Sequence, residues 1–194
     1  MFDQKLADEI ARLRIVAVLT MDDADDAIPL AEALASGGVN VIELTLRTPA
    51  ALTAIGRIRQ ARPDIRLGAG TVIFPEQVGQ VIDAGAHFAV SPGTSRRVLQ
   101  AARERGLSFA PGVCSPSDIE TTLEFDCRLL KYFPAETSGG LKHLTAMAAP
   151  YDHLGLRFMP LGGLNADNAA GYLASPLVAA LGGSWIAPRD LIRK

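Results

Sequence analysis

One unit repeats along this chain, and it constrains the fold more than any single motif. A β-rich apolar segment is followed by a turn, an Ala/Leu-rich helical stretch and a glycine. Strands are expected at 15–19, 39–44, 65–69, 88–91, 108–111, 129–133, 156–160 and 178–181. Helices near 23–36, 49–62, 75–84, 95–105, 116–124, 139–149 and 165–174 fill the intervals. Strand starts fall roughly 20 to 28 residues apart, the usual length of one βα unit. Eight strands alternating with helices imply an α/β fold with a parallel sheet. The count predicts a closed eight-stranded (β/α)8 TIM barrel, with a doubly wound open sheet as the alternative. No linker, charge block or low-complexity segment divides the chain, so residues 1–194 read as a single domain.

The punctuation agrees with this repeat. Thr48-Pro49 and Ser115-Pro116 have the order of an N-cap followed by proline at the first helical position. Asp118, three residues after Ser115, completes an approximate capping box. Gly37, Gly85 and Gly106 fall where helices end in a left-handed residue. The C-terminus departs from the repeat. After the eighth strand only 184–194 remain, too few for a full eighth helix and its lead-in, so that helix is expected to be short or missing. Either a partner subunit or an N-terminal helix around 3–13 then covers exposed strands, or the chain is truncated.

Composition removes several classes of function. A net charge of −2 with no basic stripe leaves no electrostatic footprint for nucleic acid. No apolar run approaches the roughly 18 residues of a membrane span, and Met1-Phe2-Asp3-Gln4-Lys5 lacks the basic-then-apolar order of a signal peptide. Cys114 and Cys127 form no CxxC, which points to free thiols and a cytoplasmic location. His87, His143 and His153 are far apart and near no cysteine or carboxylate cluster, so no metal or other cofactor is expected.

Within the repeat, the strand at 129–133 carries a lysine among apolar residues. Alternation puts Leu129, Lys131 and Phe133 on one face and Leu130 and Tyr132 on the other. A buried lysine must be paired or give up its proton, and a neutral amine attacks carbonyls. The rim reading, a lysine snorkelling to pair with a carboxylate, is the bland alternative. The second strand sends Glu43, Thr45 and Arg47 to one side and Leu44 and Leu46 to the other. A carboxylate beside an amine nucleophile suits proton transfer, although Glu43 could be only its ion partner. Arg47 and Thr71 suit a substrate carboxylate; as structural residues they would be a rim salt bridge and a strand-end cap. Gly162-Gly163 and Gly183-Ser184 follow the last two strands, where phosphate sites of such barrels often lie and helix N-termini favour an anion. Glu136, Arg96, Arg97 and Lys142 read as solvated charges, Cys114 as packing, and Met147 and Met159 as core.

Six segments in register then carry a family resemblance. They are Glu43-Leu44-Thr45-Leu46-Arg47-Thr48, Gly68-Ala69-Gly70-Thr71-Val72, Val90-Ser91-Pro92-Gly93, Pro111-Gly112-Val113, Lys131-Tyr132-Phe133-Pro134-Ala135-Glu136 and Gly182-Gly183-Ser184-Trp185. Together they resemble the 2-keto-3-deoxy-6-phosphogluconate aldolases, class I lyases also called 4-hydroxy-2-oxoglutarate aldolases. The resemblance implies a homotrimer of (β/α)8 barrels with no metal. It implies Lys131 as the Schiff-base lysine and Glu43 as general acid/base. Arg47, Thr71, Pro92 and Phe133 would surround the pyruvyl end, and Gly162, Gly163, Gly183 and Ser184 would hold the phosphate. The reaction implied is cleavage of a phosphorylated 2-keto acid to pyruvate and glyceraldehyde 3-phosphate, in the Entner–Doudoroff pathway. Two positions depart from the family pattern. Leu161 replaces a threonine in Pro160-Leu161-Gly162-Gly163, and Thr20 stands where some relatives carry arginine, removing one phosphate contact. The open alternatives are activity on the galactonate epimer or on unphosphorylated 4-hydroxy-2-oxoglutarate, a phosphate-barrel isomerase or epimerase using Glu43 as base, and a non-catalytic trimeric scaffold.

Overall fold

Residues 1–192 are described by a computed structural model of the chain. The expected alternation is present, but the sheet does not close into eight strands. Six strands form one parallel sheet: β1 (Ile15–Leu19), β2 (Val41–Thr45), β3 (Arg66–Gly70), β4 (Phe88–Val90), β5 (Ser108–Ala110) and β9 (Leu181–Gly183), in the order β5-β4-β3-β2-β1-β9. A second, three-stranded parallel sheet holds β6 (Gly112–Val113), β7 (Leu129–Tyr132) and β8 (Arg157–Pro160). This corrects the closed eight-stranded barrel expected from the count.

Both joins have a physical cause. The stretch read as one strand at 108–111 is split by Pro111, which has no N–H to give a ladder. Residues before it pair with β4 and residues after it with β7. At the other join, the edge of β8 away from β7 carries a single bridge among the described residues, Phe158 to Val178. The strand expected at 178–181 forms instead as β9, displaced toward the C-terminus and paired with β1 alone. Beside β9, the Leu161 side chain fills the space that a side chain at Gly182 would need. Side-chain packing takes the place of a ladder there.

Helices follow the strands: α2 (Ala27–Ser36), α3 (Ala51–Ala61), α4 (Pro75–Asp83), α5 (Arg96–Glu104), α6 (Pro116–Leu123), α7 (Gly140–Ala148), α8 (Ala166–Leu173) and the short α9 (Arg189–Ile192). The Ser115 box caps α6 as expected, with Asp118 Oδ2 accepting from Ser115 N at 2.9 Å. Thr48-Pro49 does not cap α3, which begins at Ala51; the Thr48 hydroxyl donates to the Met21 carbonyl instead. Gly85 and Gly106 have the expected left-handed backbone, but after α2 that role falls to Gly38 rather than Gly37.

Strand alternation builds two apolar layers. Ile42, Leu44, Leu130, Tyr132 and Phe158 point outward and meet the helices. Val16, Val18, Val41, Phe88, Leu129 and Met159, from both sheets, point into a shared interior. The N-terminal helix α1 (Gln4–Leu13) closes the N-terminal ends of the strands. Asp3 Oδ1 caps it by accepting from Leu6 N at 2.8 Å, and Ile10 is fully buried among the inward residues. Phe2 meets Phe88 with ring centroids 5.9 Å apart, and Asp3 N donates to Ser108 Oγ at 3.0 Å. Among the described residues, no helix is long and apolar enough to cross a membrane.

Candidate active site

At the C-terminal ends of the strands lies a cavity of about 360 Å³. Its lining includes all ten residues singled out from the sequence: Glu43, Arg47, Thr71, Pro92, Lys131, Phe133, Gly162, Gly163, Gly183 and Ser184. The strands explain the convergence. Lys131 stands in the middle of β7, and the alternation that sends Leu130 and Tyr132 outward sends Lys131 inward. Glu43 takes the equivalent inward position on β2.

The two meet: Lys131 Nζ lies 3.2 Å from Glu43 Oε1, and their side chains are only 7% and 3% exposed. A pair this dry has strong mutual attraction and little water to screen it. It is also costly to break by removing one partner. Glycine makes the room. A side chain at Gly70, on the neighbouring strand, would collide with the Glu43 carboxylate. The Phe133 ring stands 5.6 Å from Lys131 Nζ and walls one side of the amine.

Arg47 leaves the end of β2 and is held by hydroxyls. Its Nε donates to Thr45 Oγ1 at 3.1 Å and its Nη2 to Thr20 Oγ1 at 2.9 Å. Thr71, at φ 60, is a β-branched residue in left-handed backbone, an arrangement concentrated at functional sites. Cys127 lies outside the cavity lining, in the outer core, where burial pushes its thiol up to about 12.

The glycine turn after β8 is built differently from the expectation. The backbone is left-handed at both Gly162 and Gly163, and both carbonyls are pinned. Glu136 N donates to Gly162 O at 3.0 Å, and Asn168 Nδ2 donates to Gly163 O at 3.1 Å. The N–H groups of Gly162, Gly163 and Ser184 make no hydrogen bond to protein among the described residues. The unpaired backbone donors here are therefore those of the turns, not of helix starts. Asn165 Oδ1 already accepts from Asp167 N and Asn168 N at the start of α8, and no helix begins at Ser184.

Glu136 is not merely a solvated charge. It accepts from the Tyr172 hydroxyl and packs where a side chain at Gly163 would stand. Burial, then the hydrogen bond to Glu136, raises the affinity of the Tyr172 hydroxyl for its proton. Sequence reasoning did not single out Val18 or Leu164 of the lining. Val18 could have been found by strand alternation; Leu164 belongs to a turn without a period.

Comparison with known proteins places this geometry. The family described as KDPG and KHG aldolase matches residues 6–194. A 2-dehydro-3-deoxy-phosphogluconate aldolase of Treponema pallidum is 44% identical over 183 residues, 94% of this chain and 86% of that protein. A KDPG aldolase structure from Legionella pneumophila, holding pyruvate captured at low pH as a covalent carbinolamine, superposes with a TM-score of 0.91. It is 39% identical, covering 96% of this chain and 90% of that one. The Zymomonas mobilis ZM4 aldolase with 3-phosphoglycerate gives a TM-score of 0.90 at 39% identity, covering 96% and 88%.

Proposed function

This chain belongs to the KDPG and KHG aldolase family, and from that premise we propose that it cleaves 2-dehydro-3-deoxy-6-phosphogluconate to pyruvate and glyceraldehyde 3-phosphate through a Schiff base on Lys131. The observation that carries this reading is the buried amine 3.2 Å from a buried carboxylate, in a cavity open to a small molecule. Lys131, as the free amine, adds to the C2 ketone. The carbinolamine loses water to give a protonated imine, into which the C3–C4 bonding electrons flow. Glu43 takes the C4 hydroxyl proton as the aldehyde leaves, and returns a proton to C3 of the enamine. Hydrolysis of the pyruvyl imine restores the lysine. The covalent route divides one difficult step into several easier ones.

The lining supports a substrate placement. Arg47 and Thr71 take the carboxylate, Pro92 and Phe133 pack the pyruvyl end, and the N–H groups of Gly162, Gly163 and Ser184, with Gly183 beside them, take the phosphate. Phosphate lies remote from the bond broken, so its binding energy serves orientation. We further propose a cytoplasmic homotrimer of single-domain subunits. Both cysteines are free thiols, and Ile73 and Phe74 stand 43% and 53% exposed, apolar surface suited to a subunit contact.

The test is a cleavage assay on phosphorylated and unphosphorylated 4-hydroxy-2-keto acids of both C4 configurations, coupled to pyruvate detection. The phosphorylated gluconate compound is expected to give the highest kcat/KM. Equal or faster turnover of the galactonate epimer would reassign the substrate, and no release of pyruvate from any of them would remove the aldolase reading.

A further inference from the structure

The hydroxyls that hold Arg47 form a closed proton assignment. Each threonine hydroxyl has one proton and two lone pairs. Thr45 Oγ1 donates to the Leu19 carbonyl at 3.1 Å, so its proton is committed. In the 3.0 Å contact between Thr20 Oγ1 and Thr45 Oγ1, either hydroxyl could donate, and Thr20 as donor is the choice that keeps the Leu19 bond. Both hydroxyls are then left with lone pairs for Arg47: Thr45 takes Nε at 3.1 Å and Thr20 takes Nη2 at 2.9 Å. This assignment satisfies all four contacts at once.

The neutrality of this cradle matters. Arg47 forms no salt bridge among the described residues. Glu43 of β2 and Asp22 of the turn after β1 are engaged elsewhere. Glu43 is on Lys131, and Asp22 accepts from Arg189 Nε at 2.7 Å. A guanidinium fixed by a carboxylate would have part of its charge cancelled, and an incoming anion would have to displace that partner. One fixed by hydroxyls keeps its whole charge and still has a set direction. Its Nη1 has no protein acceptor among the described residues, and Arg47 is one of the residues lining the cavity.

We propose that Thr20 is a positioning residue: its hydroxyl aims the uncancelled Arg47 cation at the carboxylate of the 2-keto acid. The inference rests on the aldolase reading and goes beyond it, because Thr20 touches Arg47 rather than substrate. It also replaces the expectation that threonine here only removes a phosphate contact.

Thr20→Val keeps shape and loses the hydroxyl; Thr20→Ser keeps the hydroxyl. Pyruvate affinity is measured by calorimetry on both variants and the parent chain, with kcat and KM for the full substrate and a crystal structure of Thr20→Val. Thr20→Val is expected to weaken pyruvate binding and raise KM about tenfold, the effect of losing one hydrogen bond to a charged group, with kcat changed less than about threefold. Thr20→Ser should restore both constants to within about threefold. Unchanged pyruvate affinity in Thr20→Val, or failure of Thr20→Ser to restore it, would overturn the proposal. If the parent chain neither cleaves substrate nor binds pyruvate, the aldolase reading fails, and the crystal structure still decides this one. A guanidinium turned out of the cavity in Thr20→Val supports the positioning role, and one that stays in place refutes it.

Discussion

The same strands end in opposite ways. At their N-terminal ends α1 lies across the interior, and Phe2, Leu6 and Ile10 pack onto Val16, Val41 and Phe88. At their C-terminal ends the interior opens into a cavity lined by a lysine, a glutamate, an arginine and four glycines. One end gives its residues to burial of apolar surface; the other gives up side chains to make room for charge and ligand. Gly70 yields to the Glu43 carboxylate and Gly163 to Glu136, each removing a side chain that would otherwise pack. Stability and chemistry are thus separated along the strand axis, and substitutions at the two ends should fail in different ways.

The largest effect belongs to the cavity end. Lys131→Met should lower kcat/KM by on the order of 10⁴-fold or more while the protein stays folded, as removal of a covalent nucleophile does; steady-state kinetics with circular dichroism checks both parts. At the closed end the outcome should invert. Ile10→Ala removes a fully buried side chain and should cost about 3 kcal/mol in urea unfolding, with kcat of the folded protein unchanged. A large kcat loss in Ile10→Ala would break the separation between the two ends.

Gly70→Ala sharpens it. The added methyl meets the Glu43 side chain, so the carboxylate is pushed off Lys131; parting this buried pair should lower stability as well, while the loss of kcat in the folded protein is the larger effect. A misplacement of about 1 Å costs about 10²-fold in kcat, and a crystal structure would show the 3.2 Å contact lengthened. A smaller effect is expected from Asn168→Ala, which frees the Gly163 carbonyl. KM for the phosphorylated substrate should rise about fivefold, as loss of one neutral hydrogen bond implies, while KM for an unphosphorylated keto acid stays put.

The smallest effect lies at the closed end. His87 Nδ1 accepts from Leu67 N at 3.0 Å, and burial, then Arg59 and Arg66, push its proton affinity below the ordinary histidine value. Below about pH 6.5 the unfolded chain binds a proton that the folded chain resists. Stability from this group is therefore full above that pH and is lost as pH falls through the lower folded value. Urea titrations from pH 7 downward should show this slope, and His87→Gln should flatten it without moving the pH profile of catalysis.

Much of the site was legible because it obeys strand alternation. Lys131, Glu43 and Thr45 were each placed by a period of two in a short apolar segment, and that period holds; Arg47 lies in the turn just past β2, beyond the reach of that period. What the sequence could not convey was closure. Counting βα units says how many strands exist, not whether each edge finds a ladder. One proline, Pro111, and one packed side chain, Leu161, leave the sheet in two parts. The cradle of Arg47 was equally hidden. Thr20 and Thr45 lie 25 residues apart in sequence, and only the pairing of β1 with β2 brings their hydroxyls together. Glu136 looked like a surface charge because nothing local reveals a tyrosine 36 residues on.

The account stands or falls on covalent capture. The protein is incubated with pyruvate and borohydride, digested, and mapped by mass spectrometry. A reduced pyruvyl adduct on Lys131, absent without pyruvate and absent in Lys131→Met, is the predicted result. No adduct, or an adduct on another lysine with Lys131 unmodified, would contradict it.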